Sequence, residues 1–355
     1  ACAVLAPRRL LRRRSRRRLR RRRLPLSFLV LFLQLLPPRP PLLRPHTEPL
    51  PQRSTYSGAI GTGDEPVAVN LAFSGPMPTG GASTDFVEAL NGYLMTPTDG
   101  DDGSAYWFSA TDMLIAKALE QVPADQRHRF HPFLSGFNPN DKNADAHIRR
   151  MLELYPGVWQ GLGEVFTRHD TLTALIHGEA PRANSEAMNR VYDLAEEFDL
   201  PVMVHSNVTS WRERNPLYLQ EIEEPLRNHP GVRIIWAHAG TSMEIHRHQD
   251  RLEFLLPTLR RMLTAYPNLY IDMSWTVREP YLLNAEGEPD PEWVQLVEDF
   301  PSRFMLGSDV VGRFDSLGKY MSGFDPFLDA LSEDVAQAVA LDNFLAVLPR
   351  AQNED

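Results

Sequence analysis

Two histidines and one aspartate each stand where an apolar run of strand length ends. Residues 201–207 read Pro-Val-Met-Val-His-Ser-Asn, and residues 233–240 read Arg-Ile-Ile-Trp-Ala-His-Ala-Gly, so these runs deliver His205 and His238. A third run, Phe-Met-Leu-Gly-Ser-Asp, ends on Asp309. Imidazole nitrogens and a carboxylate that meet at one edge of a sheet would form a site suited to Zn²⁺ or a similar divalent ion.

A fourth strand-like run carries a further carboxylate, Glu164, at its end. A divalent ion held by these side chains would lower the pKa of bound water toward about 7 and supply hydroxide near neutral pH. A neighbouring carboxylate, for which we select Asp309, would then carry the proton to the leaving group. The predicted metal ligands are His205, Asp309, Glu164 and His238, with zinc as the first expectation for the cofactor.

Four other side chains follow predicted strand ends and are candidates for binding the carboxylate of a small-molecule substrate. They are Asn207, Arg168, Trp211 and Arg313. His169 lies just past the strand that carries Glu164 and either lines the pocket or belongs to a surface loop.

Strand-like and helix-like segments alternate from about residue 66. We predict strands at 67–73, 130–137, 159–166, 201–206, 233–238, 269–274 and 303–308. We predict helices from Ser109 to Val122 and from the turn at residues 138–141 to Tyr155. Further helices are predicted at 185–198, 217–228, 249–265 and 291–299, and two more within 324–348. Strands that are apolar throughout and alternate with helices indicate a parallel sheet covered by helices.

Polar residues recur at the ends of these strands, which favours a closed (β/α)8 TIM-like barrel over an open doubly wound sheet. An eighth strand would have to lie before residue 66. Thr55 to Ile60 is the only candidate there and fits poorly, so we expect the first strand to be incomplete or atypical.

The first 53 residues differ from the rest of the chain. They carry fifteen arginines against one acid, a local charge of +14, and include an apolar stretch and a proline-rich tract. We divide the chain into this extension (1–53) and a barrel domain (54–350). The extension is either an export signal or membrane tether or a disordered segment, so the chain is exported or periplasmic in the first case and cytoplasmic in the second.

Composition excludes several classes. The net charge is −9, so residues 54–355 carry −23 and offer no electrostatic case for binding nucleic acid. A single cysteine, Cys2, excludes an intrachain disulfide framework. The three lysines (117, 142 and 319) lie away from the predicted strand ends, which argues against Schiff-base chemistry and against a carbamylated-lysine metal bridge. Association into a homo-oligomer stays open.

Several strand motifs together resemble a known family. They are Gly161-Leu162-Gly163-Glu164, Val202-Met203-Val204-His205, Trp236-Ala237-His238-Ala239-Gly240, Tyr270-Ile271-Asp272-Met273-Ser274 and Met305-Leu306-Gly307-Ser308-Asp309. These resemble the fourth to eighth strand motifs of the amidohydrolase superfamily, in the amidohydrolase-related branch that includes aminocarboxymuconate semialdehyde decarboxylase. The likeness covers roughly residues 105–348.

The resemblance implies a metal-dependent hydrolase or decarboxylase acting on a small organic acid, amide or lactone. It implies that His205 ligates the metal, that His238 orients or activates water, and that Asp309 ligates the metal and moves protons. Glu164 matches a position that approaches the metal in some relatives.

The sequence departs from that family at one point. The superfamily opens with a His-x-His pair on its first strand, whereas the only histidine upstream of Val67 is His46. The one His-x-His of the chain, His246-Arg247-His248, follows the strand that leads to His238, where a helical start would turn the two rings apart. The alternative function is therefore a catalytically degenerate barrel that acts as a binding or scaffold protein.

Overall fold

The computed structural model describes residues 112–113, 115–120, 122–169, 173, 180–309 and 317–349. Several predictions fall outside these residues, namely the 1–53 extension, the strand at 67–73, the candidate at Thr55 to Ile60, the helix start at Ser109, and Arg313. The boundary between the extension and the barrel domain stays a prediction.

Six strands form one parallel sheet whose spatial order follows the sequence. They are β1 (Phe133–Leu134), β2 (Gly161–Phe166), β3 (Val202–His205), β4 (Ile234–Trp236), β5 (Leu269–Asp272) and β6 (Phe304–Met305). All six were predicted, and the structure shortens most of them at their ends. The predicted α/β class with a parallel sheet is confirmed.

Both faces of the sheet are buried, which explains why the strands read as apolar throughout. Val202 and Val204 of β3 pack into the core beneath the helices. Met203 between them points to the opposite face, where it joins Phe133 of β1 and Met305 of β6. Because side chains alternate along a strand, β1, β3, β4 and β6 each supply buried side chains to both cores.

One C-terminal helix shows that the sheet is strongly curved. Phe344 stacks on Phe133 of β1, with ring centroids 6.2 Å apart. The neighbouring residue, Asn343, donates its Nδ2 to the carbonyl of Phe304 in β6 at 2.7 Å. A flat six-stranded sheet would separate its edges by about 24 Å. Phe344 and Asn343 are adjacent in the chain and contact the two opposite edge strands, β1 and β6. The sheet must therefore curl, as the strands of a barrel do.

The helices alternate with the strands. They are α1 (Ala144–Leu154), α2 (Glu186–Glu197), α3 (Leu219–Asn228), α4 (Met243–Gln249), α5 (Leu255–Ala265), α6 (Pro291–Asp299), α7 (Leu317–Met321), α8 (Asp325–Asp329), α9 (Glu333–Gln337) and α10 (Asn343–Val347). Residues 112–113 and 115–120 are also helical. No helix within the described residues is both long enough and apolar enough to cross a bilayer.

Local capping explains where several helices begin. The Ser185 side chain accepts the Met188 N–H at the start of α2. Asp290 accepts two backbone N–H groups at the start of α6, where Pro291 occupies the first turn. A proline there costs no hydrogen bond and has the helical φ already set. The predicted helix at 291–299 is therefore matched residue for residue.

The helix predicted at 249–265 is wrong at residues 250–254, which are not helical. The structure has α4 (Met243–Gln249), then a break, and then α5 (Leu255–Ala265). Asp250 ends α4 with φ 59°, which interrupts the helical path. The prediction of two helices within 324–348 is also wrong in number. The structure has three, α8 to α10, and a wide helical turn at Ala338–Asp342 lies between α9 and α10.

Candidate metal centre

Three buried side chains meet at the carboxyl ends of β2, β3 and β4. Oε1 of Glu164 lies 2.8 Å from Nδ1 of His205 and 3.4 Å from Nε2 of His238. The imidazole rings of His205 and His238 have centroids 5.1 Å apart in an edge-on arrangement. All three residues are at most 8% exposed. The strand ends therefore bring together Glu164, His205 and His238, as the sequence predicts.

The donor set fits a divalent ion. One atom from each of Glu164, His205 and His238 can be chosen so that the three lie within 4.8 Å of one another. Ligands at about 2.0–2.2 Å from a zinc ion in tetrahedral geometry lie roughly 3.3–3.6 Å apart, so small side-chain movements would suffice. Two imidazoles and a carboxylate are also among the commonest ligand combinations of catalytic zinc.

The chain approaches Glu164 through a glycine that no other residue could replace without strain. Gly163 has φ 114°, a region that side chains rarely adopt, and a Cβ on it would overlap the carbonyl oxygen of Met203 in the adjacent strand. The backbone of β2 can therefore lie against β3 at this point only because the residue is glycine. This close approach places the Glu164 carboxylate beside His205.

His238 is turned toward the centre by an unusual backbone. β4 ends at Trp236, and His238 and Ala239 then have φ values of 52° and 51°. Gly240 follows with φ 75°, and a Cβ on it would overlap the Trp236 indole. Left-handed conformations at non-glycine residues cost energy and collect at functional sites. The sharp turn after the strand aims the imidazole at Glu164.

Asp309 lies at the edge of the centre. Its Oδ2 is 3.7 Å from Nε2 of His238, its side chain is 23% exposed, and its backbone has φ 45°. It is not part of the three-residue donor group. The carboxylate is thus placed to exchange protons beside His238, while its role as a metal ligand stays a prediction.

Neighbouring carboxylates set the pKa of the His238 imidazole. Burial lowers the pKa of the His238 imidazole, but Glu164, Asp309 and Asp272 together raise it to about 9. Burial raises the pKa of Glu164, and the stronger combined effect of His205 and His238 holds it well below its usual range. Burial raises the pKa of Asp309. A site that holds this much negative charge takes up protons, and a divalent cation would compete for the same positions.

The predicted substrate-binding residues lie around the centre with partners of their own. Arg168 forms a two-pronged ion pair with Glu221, with Nη2 2.6 Å from Oε1. Asn207 places its Oδ1 3.3 Å from Nε2 of His205. These two side chains are therefore engaged within the fold, and their binding of substrate stays a prediction.

Trp211 lies farther out, where its ring is tilted against that of His248 of α4, with centroids 4.5 Å apart. Its binding of substrate also stays a prediction. His246 and His248 both lie on α4, with their Nδ1 atoms near the carbonyl oxygens of Asp250 and Glu244 respectively. The donor group found among the described residues does not include them. The prediction that this pair would not replace a strand-borne His-x-His agrees with their place on a helix.

Three further residues contact the centre: His169, which the sequence assigned either to the pocket or to a surface loop, and Asp272 and Ser274, to which it assigned no role. The ring of His169 is buried 4.8 Å from that of His205, and burial lowers its pKa well below the usual value. Asp272 and Ser274 contact His238 from the end of β5. Their spacing of two residues along a strand, which places both on one face, was the available signal.

Comparison with known proteins identifies the family. The family model described as Amidohydrolase matches residues 97–350. This chain belongs to the amidohydrolase family. The family suggested by the strand motifs is thus confirmed. No curated protein matches the chain.

Several solved structures resemble the fold. The 5-carboxyvanillate decarboxylase of Sphingomonas paucimobilis is 16% identical, with a TM-score of 0.44 over 71% of this chain and 77% of the other. A dihydroxybenzoic acid decarboxylase of Polaromonas sp. JS666 with bound manganese is 13% identical, with a TM-score of 0.43 over 69% and 75%. An amidohydrolase of Burkholderia multivorans with bound zinc is 16% identical, with a TM-score of 0.43 over 67% and 79%.

Proposed function

We propose that this chain is a metal-dependent hydrolase or decarboxylase that acts on a small organic acid, amide or lactone. The observation that carries the proposal is the buried convergence of Glu164, His205 and His238 at adjacent strand ends. Burying a carboxylate and two imidazoles is costly unless they are paired or bind a cation. Family membership supports the same type of chemistry.

Glu164, His205 and His238 would hold one divalent cation, with zinc as the first candidate. Such an ion supplies a water whose pKa is lowered toward neutrality and a positive charge that stabilises a developing oxyanion. His238 holds its reactive nitrogen toward the centre, and Asp309 accepts or returns a proton beside it. Because burial raises the pKa of Asp309, its carboxyl group is a better proton carrier near neutral pH than an exposed aspartate.

The test strips the purified chain with a chelator, restores zinc or manganese, and screens esters, amides, lactones and small carboxylic acids. The proposal predicts turnover that depends on the added metal. It also predicts that Asp309→Asn lowers kcat by about 10²–10⁴-fold. Turnover that is equal with and without metal would contradict the proposal.

The alternative is a barrel that binds a ligand without catalysis. The observation that favours it is the absence from the sequence of a His-x-His motif upstream of Val67. The same screen separates the two functions. A chain that takes up zinc and turns over any substrate excludes the alternative, and a chain without metal uptake or turnover supports it.

A further inference from the structure

Two side chains from the end of β5 hold the imidazole of His238 on the side away from Glu164. Oγ of Ser274 lies 2.7 Å from Nδ1 of His238 and 2.5 Å from Oδ2 of Asp272. Oδ2 of Asp272 also accepts the backbone N–H of His238 at 3.1 Å. Asp272 and Ser274 are 3% and 2% exposed, so water does not compete for these contacts.

The direction of these hydrogen bonds follows from counting protons. Ionised Asp272 only accepts hydrogen bonds, and its Oδ2 already accepts the backbone N–H of His238. The single hydroxyl proton of Ser274 therefore points to Oδ2. Oγ of Ser274 can then only accept from Nδ1 of His238, which must carry a hydrogen.

This arrangement determines which nitrogen of His238 is free. A neutral imidazole carries one N–H, and here that hydrogen is on Nδ1. The lone pair is then on Nε2, which is the atom that lies 3.4 Å from Glu164 and 3.7 Å from Asp309. The ring thus presents its basic nitrogen to the centre in only one orientation.

A glycine on the neighbouring strand leaves room for this pair of side chains. A Cβ on Gly307, which follows β6, would lie 2.6 Å from Oδ1 of Asp272 and 3.0 Å from Cβ of Ser274. Any side chain at residue 307 would therefore push both groups away from His238. The close packing from the β6 side keeps Asp272 and Ser274 in place.

We propose that Asp272 and Ser274 are positioning residues that fix His238 in its Nδ1–H form, so that Nε2 is the nitrogen offered to the metal or to its bound water. The proposal deepens the proposed function and rests on it. Groups that orient a metal-binding histidine from behind typically contribute 10–100-fold to metal affinity or activity. Neither residue needs to touch the substrate.

The first experiment measures zinc affinity of the full chain by competition with a chelator. Ser274→Ala and Asp272→Asn are compared with Thr276→Val, which removes another buried hydroxyl that pairs with Thr241 at 2.8 Å. We expect the first two variants to bind zinc 10–100-fold more weakly and Thr276→Val to bind it like the wild type. Zinc affinity of Ser274→Ala within twofold of the wild type would overturn the proposal, and so would an equal loss in Thr276→Val.

The second experiment distinguishes failure of this proposal from failure of the metal function. In metal-free protein, Nδ1 of His238 carries a hydrogen in both the neutral and the charged ring, so NMR should show a downfield, slowly exchanging N–H signal. We expect Ser274→Ala to lose or shift this signal while far-UV circular dichroism stays unchanged. If the wild type binds no zinc, the proposed metal function is contradicted, and the NMR signal by itself then tests the positioning role of Ser274. An unchanged signal in Ser274→Ala overturns the positioning role.

Discussion

The Glu164 carboxylate contacts the ring nitrogen of His205 that faces the metal centre, with Oε1 2.8 Å from Nδ1. The ionised carboxylate only accepts hydrogen bonds, so in the metal-free chain Nδ1 carries a hydrogen that points at Glu164. A divalent cation held by Glu164 and His205 would take the place of that hydrogen, because metal binding requires a deprotonated nitrogen.

Glu164→Gln tests the charge of the site directly. The amide oxygen can still accept from His205, so the fold should persist, but the one negative charge in the three-residue group is lost. We expect zinc affinity to fall more than tenfold in a chelator competition, because zinc depends on anionic or strongly donating ligands. Glu333→Gln, at the exposed start of α9, is the matched control and should leave the affinity unchanged. Equal affinities in Glu164→Gln and the wild type would remove Glu164 from the ligand set.

Zinc binding should release protons. Because the carboxylates raise the pKa of His238 to about 9, this ring is charged at pH 7.5 in the metal-free chain. Its Nε2 must lose a proton before it can donate to a metal, so the affinity for zinc should rise with pH up to about pH 9. Calorimetric titrations in buffers of different ionisation enthalpy should give about one proton or more released per zinc bound. A binding enthalpy that is independent of the buffer would contradict this.

Gly163→Ala should destabilise the fold where β2 lies against β3, next to Glu164. The substitution forces φ 114° on a residue with a Cβ and places that Cβ against the Met203 carbonyl oxygen. We expect a loss of about 2–4 kcal/mol in the free energy of unfolding, measured by urea denaturation. Gly157→Ala is the control, because Gly157 also has a positive φ of 75° but a Cβ there meets nothing within 4 Å. This control should lose only about 1 kcal/mol, the cost of the backbone conformation alone. Similar losses in both variants would show that the close contact with β3 contributes little.

Acid stability should depend on His131. Burial lowers the pKa of this imidazole to about 4, its Nε2 has no hydrogen-bond partner among the described residues, and its ring lies edge-on to Phe344. The unfolded chain takes up a proton there below about pH 6.5 and the folded chain only near pH 4, so stability is lost as the pH falls through that interval.

His131→Phe should remove this loss. We compare the free energy of unfolding of the variant with that of the wild type at each pH. After allowance for partial exposure of the ring, this difference should favour the variant by about 1–2 kcal/mol more at pH 4.5 than at pH 7.5. The measurement is urea denaturation at both pH values. A difference between the two proteins that does not change with pH would contradict the assignment.

The sequence predicts the sheet well because its strands are buried on both faces. An apolar run such as Val202–His205 can be recognised without knowing its neighbours, and parallel pairing brings the residue at its end to the common edge. The same logic correctly places Glu164, His205 and His238 together. Strand order and the place where each run stops bring the three residues to one edge, and the turn at His238 then aims its ring at Glu164.

Other features depend on contacts between segments that are far apart in the sequence. The break at Asp250 and the left-handed turn at His238 are backbone conformations that tertiary packing imposes, and they cannot be predicted from residue type. The pairing of Arg168 with Glu221 joins residues 53 positions apart. Polar residues after strand ends therefore look alike in sequence, whether they face the centre or form ion pairs beside it.

The central claim is that Glu164, His205 and His238 bind one divalent ion. The most direct measurement is the metal content of purified protein after exposure to excess zinc and gel filtration, for the wild type, His205→Ala and the exposed control His248→Ala. We predict close to one zinc per chain in the wild type and in His248→Ala, and little or none in His205→Ala. A wild-type chain that leaves the column without metal, or a His205→Ala chain that keeps it, would contradict the account.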